Sequence, residues 1–262
     1  MPEGDTLART ADVLGKLLVG RQVTGARGRP GGAQLERVIG QRVEAVESRG
    51  KHLLISFSGG LTLHTHLGLH GSWHRYRDGE RWRRRTARAV AVLEVHGAVC
   101  VCFDAPTVEL MDSRAVALHP ALARLGPDVA RRDFDARVVL DRLRDPARLQ
   151  QPLGEALLDQ GALAGLGNVY RSELCFIERL SPFVPLAKVA DEQLLSLLER
   201  AARLVAASTR TGRRVTTQRP NGGTLYVYGR AGRPCRRCAT LIESRVSGER
   251  PRRVFWCPRC QP

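Results

Sequence analysis

Lysine is scarce in this chain. Lys16, Lys51 and Lys188 are the only lysines among 42 basic residues, and arginine supplies the rest. Acidic residues are also short, at 26, which leaves a formal net charge of +16 and a pI of about 10.8. No stretch of roughly 18 apolar residues is present, so no helix is expected to span a membrane. No basic segment followed by an apolar core opens the chain, which excludes a secretory signal and leads to the expectation of a cytoplasmic protein. Internal repeats and low-complexity tracts are absent too. What remains is a strongly basic globular chain of 262 residues with 43% hydrophobic content. Its length accommodates two modest domains or one large one.

An excess of positive charge this large points to a polyanionic partner. A GC-rich genome explains the preference for arginine over lysine, but not the sign of the charge. The arginines also cluster, with seven in 75–88 and thirteen in 210–262. A solvated face is the ordinary reading of such a run. Here the second cluster coincides with a cysteine pattern. Cys235-x2-Cys238 and Cys257-x2-Cys260 stand eighteen residues apart, the spacing of a four-cysteine zinc site. Four thiolates close the coordination shell, so this zinc is expected to be structural and the chemistry to lie elsewhere. Cys100, Cys102 and Cys175 sit in apolar stretches and read as reduced core residues.

Leu7, Ala11, Leu14 and Leu18 recur with helical period, which predicts a helix over 5–19 that Gly20 stops. Such a helix would favour an anionic ligand at its N-terminal end. Residues 52–57 and 61–66 around Ser58-Gly59-Gly60 read as a hairpin, and 89–95 with 99–103 as another. Together they suggest a β-sandwich to about residue 112, with Gly/Arg-rich connections at 25–33 and 75–88. Residues 119–209 carry helical patterns. Pro152 suits the first turn of a helix running to about Gln160. Gly161–Asn168 form a glycine-rich turn into a helix over 169–178, and Asp191 is expected to cap a long helix. From about Thr224 the short, aromatic, arginine-rich end suggests a zinc ribbon.

Several residues could carry chemistry. Met1-Pro2 is a start from which the methionine is readily removed, exposing a secondary amine. An α-amine has a pKa of about 7.7–8.0, so a useful fraction is neutral at pH 7. Such an amine attacking a sugar C1′ yields an iminium, an electron sink for eliminations. Glu3 beside it could move protons. A frayed terminus is the plain alternative. Lys51, next to Gly50 at a strand mouth, could meet a phosphate or act as acid or base, or simply lie on the surface. Asn168 could cap its helix, hold phosphate, or both. Arg252, with Arg253 as competitor, lies on the return strand of the ribbon. His64, His66 and His70 follow one another at short spacing, but nothing near them in sequence completes a metal-ligand set, so core or groove-lining roles are expected.

The Met1-Pro2-Glu3-Gly4 start, Arg49-Gly50-Lys51, Gly167-Asn168 and the terminal ribbon, in this order over the whole chain, resemble the formamidopyrimidine-DNA glycosylase/endonuclease VIII family. Leu158-Asp159-Gln160, Tyr228-Gly229-Arg230-Ala231-Gly232 and Cys235-Arg236-Arg237-Cys238 look most like its actinobacterial endonuclease VIII branch. The resemblance implies an α+β multidomain fold. It comprises a β-sandwich with flanking helices (1–112), a helix–two-turn–helix domain (113–223) and a zinc finger (224–262), with DNA in the cleft between the lobes. It implies a bifunctional DNA glycosylase and abasic-site lyase with one structural Zn2+, no organic cofactor, and damaged DNA as partner. A monomer is expected. Pro2 becomes the Schiff-base nucleophile and Glu3 the proton donor and acceptor. Lys51 serves the elimination, with a phosphate contact. Asn168, Arg252 and Arg124 hold backbone phosphate.

The chain also departs from the family. In the plug loop His66-Leu67-Gly68-Leu69-His70-Gly71, Leu69 matches the usual apolar wedge, while Gly68 and His70 replace polar and aromatic residues. An Arg-x-Phe-Gly type stretch is missing from 104–118. The expected lesions are therefore oxidised pyrimidines, with reduced activity on duplex and a preference for single strands, bubbles or abasic sites. A purine-type glycosylase and a non-catalytic zinc-ribbon DNA-binding protein are the rival readings.

Overall fold

A computed structural model describes residues 1–218, 223–248 and 251–262. Arg219 and Arg250 of the basic C-terminal run lie outside the described residues. The chain divides into two compact units, Met1–Arg124 and Leu125–Pro262.

The first unit opens with helix α1 (Gly4–Leu18). Leu7, Ala11, Leu14 and Leu18 are buried along one side of it, as their spacing predicts. Eight strands follow: β1 (Val23–Gly28), β2 (Val43–Arg49), β3 (His52–Phe57), β4 (Leu61–His66), β5 (Ser72–Tyr76), β6 (Ala89–Val95), β7 (Ala98–Phe103) and β8 (Thr107–Asp112). They form two four-stranded antiparallel sheets, β1-β6-β7-β5 and β2-β3-β4-β8. Alternate residues point inward from each sheet. Leu53, Ile55, Phe57 and Leu63 from one meet Leu93, Cys100 and Cys102 from the other, with the apolar side of α1 in the same core. Both expected hairpins form. The loop expected at 25–33 forms only over 29–33: residues 23–28 are a strand, because pairing with β6 satisfies a backbone whose composition alone reads as a connection. Two short helices, α2 (Ser113–Leu118) and α3 (Pro120–Ala123), end the unit.

The second unit holds α4 (Ala136–Leu143), α5 (Leu153–Ala156), α6 (Asn168–Ile177) and α7 (Asp191–Thr211) around one apolar core. The helix expected from Pro152 to Gln160 stops at Ala156. Beyond it Asp159 accepts from the Gly161 amide at 2.8 Å, and the Gln160 carboxamide bonds the Leu166 carbonyl and the Gly165 amide, building a turn rather than a helix. Asp191 is the first helical residue of α7 and not its cap. Its carboxylate meets the Arg144 guanidinium, and the side chain of Gln193 accepts from the Ala190 amide. The C-terminal end carries a two-stranded antiparallel ribbon, β9 (Glu243–Ser247) and β10 (Arg252–Trp256).

Candidate functional site

Glu3 is the N-cap of α1, in extended conformation, and its carbonyl accepts the Thr6 and Leu7 amides at 2.9 and 3.1 Å. Its side chain is fully buried, an uncommon position for a carboxylate at the start of a chain. Pro2, half-buried, precedes it; with Met1 attached its nitrogen is an amide. The positive end of α1 is met by the chain's own carboxylates. Buried Asp5 accepts the Thr6 amide at 2.7 Å, so the anion expected there is partly supplied from within. Lys51 is half-buried in the tight turn between β2 and β3, where Arg49 pairs with His52.

The loop expected as a plug joins β4 to β5. The Gly71 amide bonds the Leu67 carbonyl at 2.8 Å and closes the turn. Gly68 adopts φ 58°, and a Cβ there would stand 2.9 Å from Pro106, so glycine is required. A Cβ at Gly71 would meet the Leu67 carbonyl oxygen at 2.3 Å. The closed turn leaves Leu69 62% exposed. His70 is exposed, and its carbonyl accepts from Arg84. The unusual glycine is thus explained by backbone geometry.

The histidines that looked isolated in sequence are gathered by the sheet. His64 Nε2 lies 2.8 Å from His52 Nδ1, and His64 Nδ1 lies 2.8 Å from Glu109 Oε2. His119 Nε2 is 3.2 Å from the same oxygen. Residues distant in sequence thus give His64 a set of donors that could hold a metal, which its sequence neighbours do not supply. Glu109 comes from β8, opposite His64 in register, and His119 from the start of α3. Burial pushes His52 down to about 3, with the neighbouring histidines adding to the effect, and burial also lowers His64. His70 is not part of the cluster.

In the second unit, Gly167 caps α6 and Asn168 is its first helical residue, which corrects the N-cap expectation. The Asn168 carboxamide is used sideways. Nδ2 donates to the Arg253 carbonyl at 2.9 Å, and Oδ1 accepts from the Arg171 guanidinium. Arg252 opens β10 beside this contact and forms no ion pair among the described residues. Arg253 points to the other side of the strand and bonds Ser244 at 3.0 Å. Arg124 is exposed at the C-terminal end of α3.

Cys235, Cys238, Cys257 and Cys260 bring their sulfurs within 4.8 Å of one another. Two cross-pairs stand at 4.0 and 3.5 Å, Cys235–Cys260 and Cys238–Cys257. A tetrahedral zinc with bonds of about 2.3 Å spaces its sulfurs by roughly 3.8 Å, so the set fits that ion. The Arg237 amide bonds the Cys235 sulfur, and the Gln261 carboxamide ties the second pair to the Leu180 carbonyl.

Sequence reasoning missed Glu173. This fully buried residue of α6 accepts the amides of Tyr226, Val227 and Tyr228 at 2.8 Å each, and also the Thr216 hydroxyl. It fastens α6 to the segment leading into the cysteines. Arg171, equally buried, pairs with Glu155 at 2.8 Å. The available signal was two opposite charges, Arg171 and Glu173, inside a helix with almost no solvated side.

Residues 1–117 match the family described as formamidopyrimidine-DNA glycosylase N-terminal domain, and residues 125–219 the formamidopyrimidine-DNA glycosylase H2TH domain. Among curated proteins, the chain is 40% identical to the probable endonuclease 8 2 of Streptomyces coelicolor, over all of this chain and 94% of the relative. It is also 40% identical to the DNA-(apurinic or apyrimidinic site) lyase Nei2 of Mycolicibacterium smegmatis, over all of this chain and 99% of the relative. Endonuclease 8 of Escherichia coli is 34% identical, with both chains fully covered. Among solved structures, MutM in complex with DNA containing carbocyclic 8-oxo-G aligns over 99% of both chains, with a TM-score of 0.83 and 21% identity. Formamidopyrimidine-DNA glycosylase of Lactococcus lactis, bound to DNA with an abasic site, aligns equally widely with a TM-score of 0.82. At such identity these two report the fold.

Proposed function

The chain belongs to the formamidopyrimidine-DNA glycosylase/endonuclease VIII family, and we propose that it is a bifunctional DNA glycosylase and abasic-site lyase of base excision repair, acting on oxidised pyrimidines. One observation carries the reading. The Pro2–Glu3 pair heads α1 in a chain 40% identical, end to end, to a protein named as an abasic-site lyase.

The chemistry begins once Met1 is removed. The Pro2 amine attacks C1′; the N–C1′ bond forms as the bond to the damaged base breaks. The sugar ring opens and leaves a C1′ iminium. Glu3, buried beside the amine, moves the protons that these steps require. The iminium withdraws electrons from C2′, whose proton is lost as the 3′ phosphate leaves. A second elimination releases the 5′ phosphate, and water then hydrolyses the iminium to return the amine. Lys51 serves the eliminations and contacts phosphate. Arg252, Asn168 and Arg124 hold the DNA backbone, and the net charge of +16 supports that grip. Extruding a nucleotide costs a few kcal/mol of stacking, least at damaged bases. Leu69, flanked by His70, fills the void.

Cys235, Cys238, Cys257 and Cys260 hold a structural Zn2+ in a finger over 224–262, and that ion supplies folding energy rather than reaction chemistry. Among the described residues no helix is long and apolar enough to cross a membrane. The substrate places the enzyme with bacterial chromosomal DNA in the cytoplasm. One chain carries every group invoked here, so a monomer suffices.

Borohydride reduction on an oligonucleotide with a single abasic site tests the reading. A covalent adduct is expected with the processed protein and none with Pro2→Gly. Absence of an adduct with processed protein would leave only a DNA-binding module. Substrates containing thymine glycol, 5-hydroxyuracil and 8-oxoguanine separate pyrimidine from purine specificity.

A further inference from the structure

The cluster of His64, Glu109 and His119 is not used by the chemistry above. All three residues belong to the first unit, and one ligand atom from each lies within 4.8 Å of the other two. Two imidazole nitrogens converge on a single carboxylate oxygen: His64 Nδ1 at 2.8 Å and His119 Nε2 at 3.2 Å from Glu109 Oε2. A divalent ion with bonds of about 2.0–2.1 Å to nitrogen and oxygen spaces its donors by roughly 3.3 Å, so a small opening of the cluster admits one.

The surroundings are those of a metal site. His64 is 1% exposed, and its far nitrogen is hydrogen-bonded to His52, the outer-shell contact that orients a ligating imidazole. His52 is in turn in ring contact with His66 at 4.9 Å. His119 Nδ1 is buried with no hydrogen-bond partner. Without a cation, Glu109 draws the proton of that ring to Nε2; a cation taking Nε2 moves it to Nδ1. Glu109 is 44% exposed, leaving solvent to complete the coordination.

We propose that His64 Nδ1, Glu109 and His119 Nε2 form a second metal site, separate from the four cysteines, for a divalent cation of the zinc class with solvent in the remaining positions. Two imidazoles and a carboxylate are a recurrent donor set for such ions. The cation ties the chain at His119 to strands β4 and β8. Through His52 it also orders the residue that follows Lys51.

The test uses untagged protein with its four-cysteine site already filled with zinc, titrated with Co2+. The expected result is one further metal per chain, with a visible d–d band and no thiolate charge-transfer absorption. His119→Ala and Glu109→Gln should each weaken that second equivalent at least tenfold while the zinc content stays at one. His52→Phe should weaken it by about 10–100-fold, as loss of an outer-shell partner does. Saturation at one metal per chain overturns the proposal. So does a second cobalt held equally well by both ligand variants, which would place it elsewhere.

Discussion

Asn168 donates through Nδ2 to the main-chain carbonyl of Arg253 at 2.9 Å, which makes the start of α6 and the start of β10 one assembly. Arg252, the residue before that carbonyl, is thereby held next to the helix start, while the Arg253 guanidinium is engaged by Ser244. Arg252→Ala is expected to weaken binding to abasic-site DNA similarly across sequences. It should also lower the slope of log affinity against log salt by about 1, one phosphate contact. Arg253→Ala should change the slope much less. Fluorescence anisotropy over a salt series measures both, and equal slopes for the two variants would refute the assignment.

The Glu173 carboxylate and the cysteine cluster hold the same segment from two ends. Glu173→Gln turns an acceptor of four hydrogen bonds into a group that itself donates, against buried N–H groups. The cost is on the order of 3 kcal/mol, read as a lower urea midpoint. Cys238→Ser is expected to release zinc and weaken DNA binding broadly. In both variants the amides of Tyr226, Val227 and Tyr228, which bond Glu173, should exchange with deuterium much faster than in the parent. Unchanged DNA affinity after zinc loss would remove the finger from the binding surface.

Glu3 separates the two halves of the proposed reaction. Expelling a base needs proton transfer that an abasic substrate does not. Glu3→Gln should therefore lower excision from an oxidised-pyrimidine substrate by about 10²–10⁴-fold and spare cleavage at a preformed abasic site relative to excision. Equal loss on both substrates would mean that the buried carboxylate acts in a step common to them.

The core thiols set an alkaline limit. Burial pushes Cys100 and Cys175 up to about 12 from an ordinary value of 9.0. Between those values the unfolded chain has lost protons that the native chain keeps, so stability present below pH 9 falls as pH rises towards 12. Each thiol contributes a slope of up to about 1.4 kcal/mol per pH unit. Replacing Cys100 with Val and Cys175 with Ala should flatten the decline measured by urea unfolding at pH 8, 9 and 10.

Local signals in the sequence carried far. The apolar period of α1, the hairpin β3–β4 and the paired cysteines each lie within a short window, and each forms where its pattern places it. Strand β1 did not read as a strand, because Gly25, Arg27 and Gly28 spell a loop and only β6 makes them sheet. Glu173 finds its acceptor role through amides 53 to 55 residues away. Glu109 reaches His64 across 45 residues. No periodicity encodes such pairings; they appear only when strand register and helix packing are in place.

The closed turn at Leu67–Gly71 has a kinetic meaning. A leucine on a slack loop would have to order its backbone while entering a base stack, at about 1–2 kcal/mol per residue fixed. Here the Gly71-to-Leu67 bond and the left-handed Gly68 have settled that backbone during folding. The apolar tip of Leu69 waits in water at 62% exposure, and full burial would return about 1.5–3 kcal/mol. In the wedge role proposed for Leu69, such a loop would sample successive base steps quickly and gain energy only where stacking is already weak.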